Sequence, residues 1–186
     1  MLIPLRLSAQ TDEQLMLRAA RGSDRAFEEL YNRHARRLQG FFVRRLGDDA
    51  DLAADFMHDT FLRLYAAREK YHEGNSFRAW LYTIAYNLCK NHRRNQLTVI
   101  HDDEKDIPAE ADLEVELDET ILHDALREAL KSMPEPYAML FSLHYEEELT
   151  IPQIAQIIGL PEGTVKSRLH KTMNIIKQQL KQYENR

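Results

Sequence analysis

Cysteine, glycine and proline are all scarce in this chain, and each shortage removes a class of protein. One cysteine, Cys89, occurs in 186 residues, so no internal disulfide can form and a reducing, cytosolic setting fits. Six glycines and six prolines are too few for a loop-rich all-β design. No apolar run approaches the length that spans a bilayer, which argues against direct membrane insertion. The opening "MLIPLRLSAQ" is too short an apolar stretch for a signal peptide, so residues 1–11 are expected to form a flexible end. No glycine loop suited to phosphate and no Cys/His spacing suited to zinc occurs, so no cofactor and no resident metal are expected. What is left, 44% hydrophobic and 30% charged residues, is the make-up of a globular protein rather than a disordered one.

The net charge of −5 conceals a segregation along the chain. Residues 1–96 carry +4, residues 97–119 carry −9 and residues 120–186 are neutral. A weakly basic block, an acidic strip and a neutral block predict two domains, 12–96 and 120–186, joined by a flexible linker at 97–119.

The hydrophobic period is helical nearly throughout. Phe27, Leu30, Tyr31, Leu38, Phe41 and Phe42 form one stripe that ends at Gly47. Ala53, Phe56, Met57, Phe61, Leu64 and Tyr65 form a second. Phe77, Trp80, Leu81, Ile84, Ala85 and Leu88 form a third, with Ser76 placed to cap its start. Such helices in about 95 residues predict a compact bundle. After the acidic strip, Ile121, Leu122, Ala125, Leu126, Ala129, Leu130 and Met133 resume a stripe that stops before Pro134. With no convincing strand, the fold class is all-α: a helical bundle plus a second small helical domain.

That second domain holds the most specific pattern. Thr150 and Gln153 have capping-box spacing at the start of an apolar run. Ile151, Ile154, Ala155 and Ile158 form the buried stripe, and Gly159 falls where a left-handed helix end is wanted. Small Ala155, Gly159 four positions on and Val165 ten positions on are in register for a helix-turn-helix. On the second helix Val165, Leu169, Thr172 and Ile176 share one face. Lys166, Ser167, His170, Lys171 and Asn174 are expected to point away from it, with Arg168 on the flank. Donors on that outer face are what a major groove requires.

In the first domain, Tyr82 and Tyr86 are expected opposite the core stripe, beside Arg78, Lys90, Arg93 and Arg94, with Asn87 on the edge. Exposed rings interleaved with cations suit unpaired bases, which stack while the cations hold phosphates. The loop "YHEGNS", from Tyr71 through Asn75 to Ser76, offers polar groups for an extruded base.

These segments together resemble a known family. "DADLAADFMHDTFLRLYAA" and "SFRAWLYTIAYNLCKNHRR" resemble region two of the sigma-70 family, in its extracytoplasmic-function (ECF) group. "LKSMPEPYAMLFSLHYEEELTIPQIAQIIGLPEGTVKSRLHKTM" resembles its region four. The resemblance implies a non-enzymatic, cytoplasmic sigma factor that joins core RNA polymerase and helps open promoters. It implies that Asp51, Asp55, His58, Asp59 and Arg63 meet the clamp helices of the largest polymerase subunit. At the position of His58 the family commonly has a glutamine. Region four would in turn meet the flap of the second-largest subunit. The resemblance further implies that Lys166, Ser167, Arg168, His170 and Lys171 meet the −35 element. The −10 strand would fall to Tyr71, Asn75, Ser76, Tyr82, Tyr86, Asn87, Lys90, Arg93 and Arg94. An anti-sigma factor, which can hold such a protein at the membrane, is a further implied partner.

Two other readings compete. A helix-turn-helix regulator that acts without polymerase would share "GTVKSRLHK" and would bind its site as a dimer. A helical di-metal enzyme would use the carboxylate–His pairs Asp55/His58 and Glu69/His72, but would need further carboxylates from facing helices.

Overall fold

A computed structural model describes residues 7–96 and 119–184, in two compact units divided between residues 100 and 101. The acidic strip expected to be a linker lies outside the described residues, apart from Glu119. Every regular element among the described residues is a helix, so the chain is all-α.

The first unit contains α1 (Asp12–Ala20), α2 (Asp24–Arg45), α3 (Ala50–Ala66) and α4 (Phe77–Gln96). Helix α2 packs on α1 and α3, and α4 packs on α3 and α1. Leu15, Met16, Leu30, Leu38, Phe41, Phe42, Leu64, Phe77 and Leu81 are fully buried between them. Sequence periodicity did not pick out α1 because its apolar residues, Leu15, Met16, Leu17, Ala19 and Ala20, run together and mark no single stripe. Its start is nonetheless encoded by Thr11 and Gln14. The Gln14 N–H donates to Thr11 Oγ1 at 3.3 Å, and the Thr11 N–H donates to Gln14 Oε1 at 3.1 Å.

The expectation that residues 1–11 form a flexible end needs correction over 7–11. Leu7–Ala9 form a short 3-10 turn. The Arg33 guanidinium donates to the carbonyls of Gln10 and Leu7 at 2.8 and 3.1 Å, and to Asp12 Oδ1 at 3.1 Å. One rigid fork of donors thus satisfies backbone acceptors that would otherwise fray into water. Residues 1–6 are outside the described part.

The second unit contains α5 (Glu119–Ser132), α6 (Glu135–Phe141), α7 (Ile151–Ile158) and α8 (Glu162–Glu184), with a π-helical turn at Ser142–Glu146 after α6. Helices α5, α6 and α7 all pack on α8. Ala125, Met133, Ala138, Phe141, Ile175, Ile176 and Leu180 make one core cluster.

The turn between α7 and α8 forms as its sequence predicts. Gln153 Oε1 accepts from the Thr150 N–H at 2.9 Å, completing the capping box. Gly159 takes φ +72°, and its N–H and that of Leu160 both donate to the Ala155 carbonyl. A Cβ on Gly159 would meet no atom within 4 Å, so only the left-handed backbone penalises a side chain. Gly159→Ala should therefore lower the stability of this unit by about 1–2 kcal/mol, read by urea unfolding. An unchanged midpoint would contradict the assigned turn.

Candidate nucleic-acid interface

The turn holds α8 so that Val165, Leu169, Thr172 and Ile176 are buried. Lys166, Ser167 and His170 are exposed, while Arg168 and Lys171 are half-buried. Asn174 departs from expectation: it is 7% exposed. Beyond Thr172 the helix is packed on by α5 and α6, which widens its buried arc to include Asn174 and Ile175. The Asn174 amide lies 3.4 Å from His170 Nδ1. With that amide donating, the exposed imidazole presents Nε2–H outward as a donor.

Gly163, Thr164, Ser167, Arg168 and Lys171 line an open groove with Tyr137 of α6. Two hydroxyl-bearing residues of α8, a phenol and two cations converge there, a set suited to a phosphate oxygen. Thr164 and Tyr137 escaped the sequence reading. The signal for Thr164 is its place one turn before Arg168; Tyr137 could be found only by folding α6 against α8.

In the first unit the two tyrosines separate. Tyr82 is 1% exposed, its ring edge-on to Phe41 with centroids 5.4 Å apart. The expectation that Tyr82 faces solvent is therefore wrong. Because α4 packs on more than one neighbour, its buried arc runs through Phe77, Leu81, Tyr82, Ala85, Leu88 and Cys89. That is wider than the stripe of a helix with a single neighbour, and it leaves Trp80 and Ile84 half-buried at one edge. Tyr82→Ala should cost about 3–5 kcal/mol of stability in chemical denaturation. A cost under about 1 kcal/mol would show that the ring is not core. Burial likewise pushes the Cys89 thiol up to about 12, against the opposing charges of Arg45 and Arg93, leaving it an unreactive core residue.

Tyr86 and Arg93 are half-buried, while Asn87, Lys90 and Arg94 are exposed. At the head of α4, Ser76 Oγ accepts from the Ala79 N–H at 3.2 Å, the expected cap. Tyr71 lies beneath the loop rather than on it: it is buried, stacked on Trp80 with centroids 5.5 Å apart, and its hydroxyl donates to the Asn75 carbonyl. The tip, His72, Glu73, Gly74 and Asn75, is exposed, with Gly74 at φ +91° making the bend.

On α3, Asp51, Asp55, His58 and Arg63 are exposed and Asp59 is half-buried. Arg63 pairs with Asp59 through both Nε and Nη2, each at 3.0 Å, and the hydrogen bond raises the Arg63 pKa. Among these charges stands Leu62, 68% exposed. At about 100° per residue, Asp51, Asp55, His58 and Leu62 fall on one line up the helix. That line lies opposite Ala53, Met57, Thr60 and Leu64, which are buried. The sequence reading missed Leu62; the signal was an apolar residue in register with the acidic stripe instead of the core. Among the described residues no group of three or more His, Cys, Asp and Glu side chains is placed to hold a metal ion. His58 instead lies alongside the Tyr31 ring.

The sequence profile of Sigma-70 region 2 matches residues 30–97, and that of Sigma-70, region 4 matches residues 123–174. The RNA polymerase sigma-H factor of Pseudomonas aeruginosa is 30% identical over 187 residues, covering 91% of this chain and 94% of that protein. The chain belongs to the sigma-70 family. Within that family the sigma factor also resembles the ECF RNA polymerase sigma factor SigW of Bacillus subtilis. The two are 26% identical over 87% of this chain and 92% of SigW, which places it in the ECF group. Two solved structures share its fold: CnrH in complex with the cytosolic domain of CnrY, and RpoE with the anti-sigma factor NepR from Bartonella quintana. The first has a TM-score of 0.67 at 21% identity, covering 91% of this chain and 97% of that one. The second has a TM-score of 0.61 at 23% identity, covering 83% and 96%. The chain is thus an RNA polymerase sigma factor, in which the two helical units carry regions two and four.

Proposed function

We propose that the sigma factor divides its work between the two units. The α8 surface reads the −35 element, with Lys166, Ser167 and His170 toward base edges. Arg168 and Lys171 hold phosphate in the groove shared with Tyr137 and Thr164. The loop tip at Asn75, together with Tyr86, Asn87, Lys90, Arg93 and Arg94, takes the unpaired −10 strand. The α3 line through Asp51, Asp55, His58 and Leu62 docks on the clamp helices of core polymerase, and region four meets the flap. The observation that carries this reading is the helix-turn-helix, which fixes a donor-bearing face of α8 outward in a chain matched by both sigma regions.

With +4 on one block and none on the other, the isolated protein has a weak field for a polyanion and binds promoters only within holoenzyme. It makes and breaks no covalent bond. It works in the cytoplasm, where polymerase and DNA are; among the described residues no helix is long and apolar enough to cross a membrane. An anti-sigma factor that covers the polymerase-docking surface holds it inactive. The complexes formed by CnrH and by RpoE support that partner.

Two binding measurements test the reading. Purified sigma factor should co-elute with core polymerase, and a −35 duplex probe should be retained only when core is present. Retention of the probe by the sigma factor alone, as a dimer and without affinity for core, would leave a polymerase-independent regulator.

A further inference from the structure

The loop proposed to take the −10 base is six residues long, and a loop discriminates between bases only if its ends are fixed. Both of its ends are held by α1, a helix that carries none of the residues assigned to DNA or polymerase. Helix α1 packs on the 3-10 turn Arg68–Lys70, which leads into the loop, and on α4, which leads out of it.

The exit side is held by a carboxylate. The first N–H groups of a helix have no partner inside it. Ser76 serves the N–H of Ala79, and Glu13 Oε1 of α1, 64 residues earlier, accepts from the N–H of Phe77 at 3.4 Å. A negative charge there also complements the helix dipole of α4. The Phe77 ring meets His34 at 5.1 Å, and His34 Nε2 lies 2.7 Å from Asp12 Oδ2. On the entry side Tyr71 is held by the Trp80 stack and by its bond to the Asn75 carbonyl. Burial raises its pKa to about 12, and the charges of Glu13 and Asp12 add to that. Asp12 is itself held by Arg33 and lies against His34, which ties α1 to α2 beside the Glu13 contact with α4.

We propose that Glu13 is a positioning residue for −10 recognition: by capping α4 from α1, it sets where the 72–75 tip presents itself to an extruded base. This rests on the reading of the loop given above. Glu13→Gln keeps an acceptor oxygen at the same reach, whereas Glu13→Ala removes it.

The test uses holoenzyme assembled with wild-type, Glu13→Ala or Glu13→Gln full-length protein. Each is titrated with four fork-junction probes that differ only in the unpaired −10 base. Wild type should prefer one base. Glu13→Ala should reduce that preference at least threefold, and Glu13→Gln should restore most of it. Core assembly and binding of a −35 duplex should not change in either variant. Hydrogen exchange of the Phe77 amide in the free protein should rise about tenfold in Glu13→Ala, independently of any DNA. Unchanged exchange and unchanged base preference would overturn the proposal, as would equal losses in both variants that follow their melting temperatures. If wild type itself shows no preference among the four probes, the reading of the loop fails and takes the DNA role of Glu13 with it. The Phe77 exchange result would then still show whether the cap exists.

Discussion

Holoenzyme carrying Leu62→Glu should assemble poorly when core polymerase is limiting. Leu62 is the large apolar side chain in the middle of a charged face, and its exposure of 68% leaves nothing in the free protein that it stabilises. Fully burying a leucine side chain on docking contributes about 1.5–3 kcal/mol, which its replacement forfeits. A glutamate does worse than truncation, because docking would bury an unpaired charge among Asp51, Asp55 and Asp59. Affinity for core should fall about thirtyfold or more, measured by competition for a limiting amount of core polymerase. The melting temperature should stay within about 2 °C of wild type, as expected for a surface substitution. Leu62→Ala should give an intermediate loss. If Leu62→Glu assembled normally, the docking face would have to lie elsewhere on the bundle.

Lys166→Ala combined with Lys171→Ala should cripple promoter binding while leaving core assembly intact. Neither lysine belongs to the core of the second unit, so folding should be unaffected. Each cation that neutralises a phosphate contributes close to one unit to the slope of log affinity against log salt. The double variant should therefore bind a −35 probe within holoenzyme about ten- to a hundredfold more weakly, with a salt slope shallower by about one from the lost phosphate contact of Lys171. The slope separates a lost phosphate contact from a general loss of fit. A weaker complex with an unchanged slope would mean that Lys171 acts on something other than the DNA backbone.

How far the sequence disclosed this molecule differs between the units. The helix-turn-helix was legible because each of its parts is a local rule with its own residue. Thr150 and Gln153 cap one helix, Gly159 alone tolerates the left-handed turn, and Val165 returns the chain to the core. What escaped were features set by contacts between distant segments. Tyr82 reads as exposed on a helix with one neighbour and is buried on a helix with more than one. Asn174 is covered because α5 and α6 reach the far half of α8. Helix α1 has its apolar residues nearly contiguous and so shows no single stripe, although its Thr11–Gln14 box was there to be read. Its part in the fold rests on its buried Leu15, Met16 and Ala19 and on its contacts with Arg33, His34 and Phe77, which lie 21 to 65 residues away from Asp12. Leu62 was available to sequence reasoning once α3 had been phased, because it falls on the acidic line and not on the core stripe.

The proposed function requires this chain to direct core polymerase to promoters through the α8 surface and the −10 loop. Run-off transcription with purified core polymerase on fragmented genomic DNA tests it most directly. Addition of the wild-type protein should yield new, discrete transcripts that disappear with Leu62→Glu and with the Lys166→Ala/Lys171→Ala pair. No new transcripts, together with specific DNA binding by the protein without core, would contradict it.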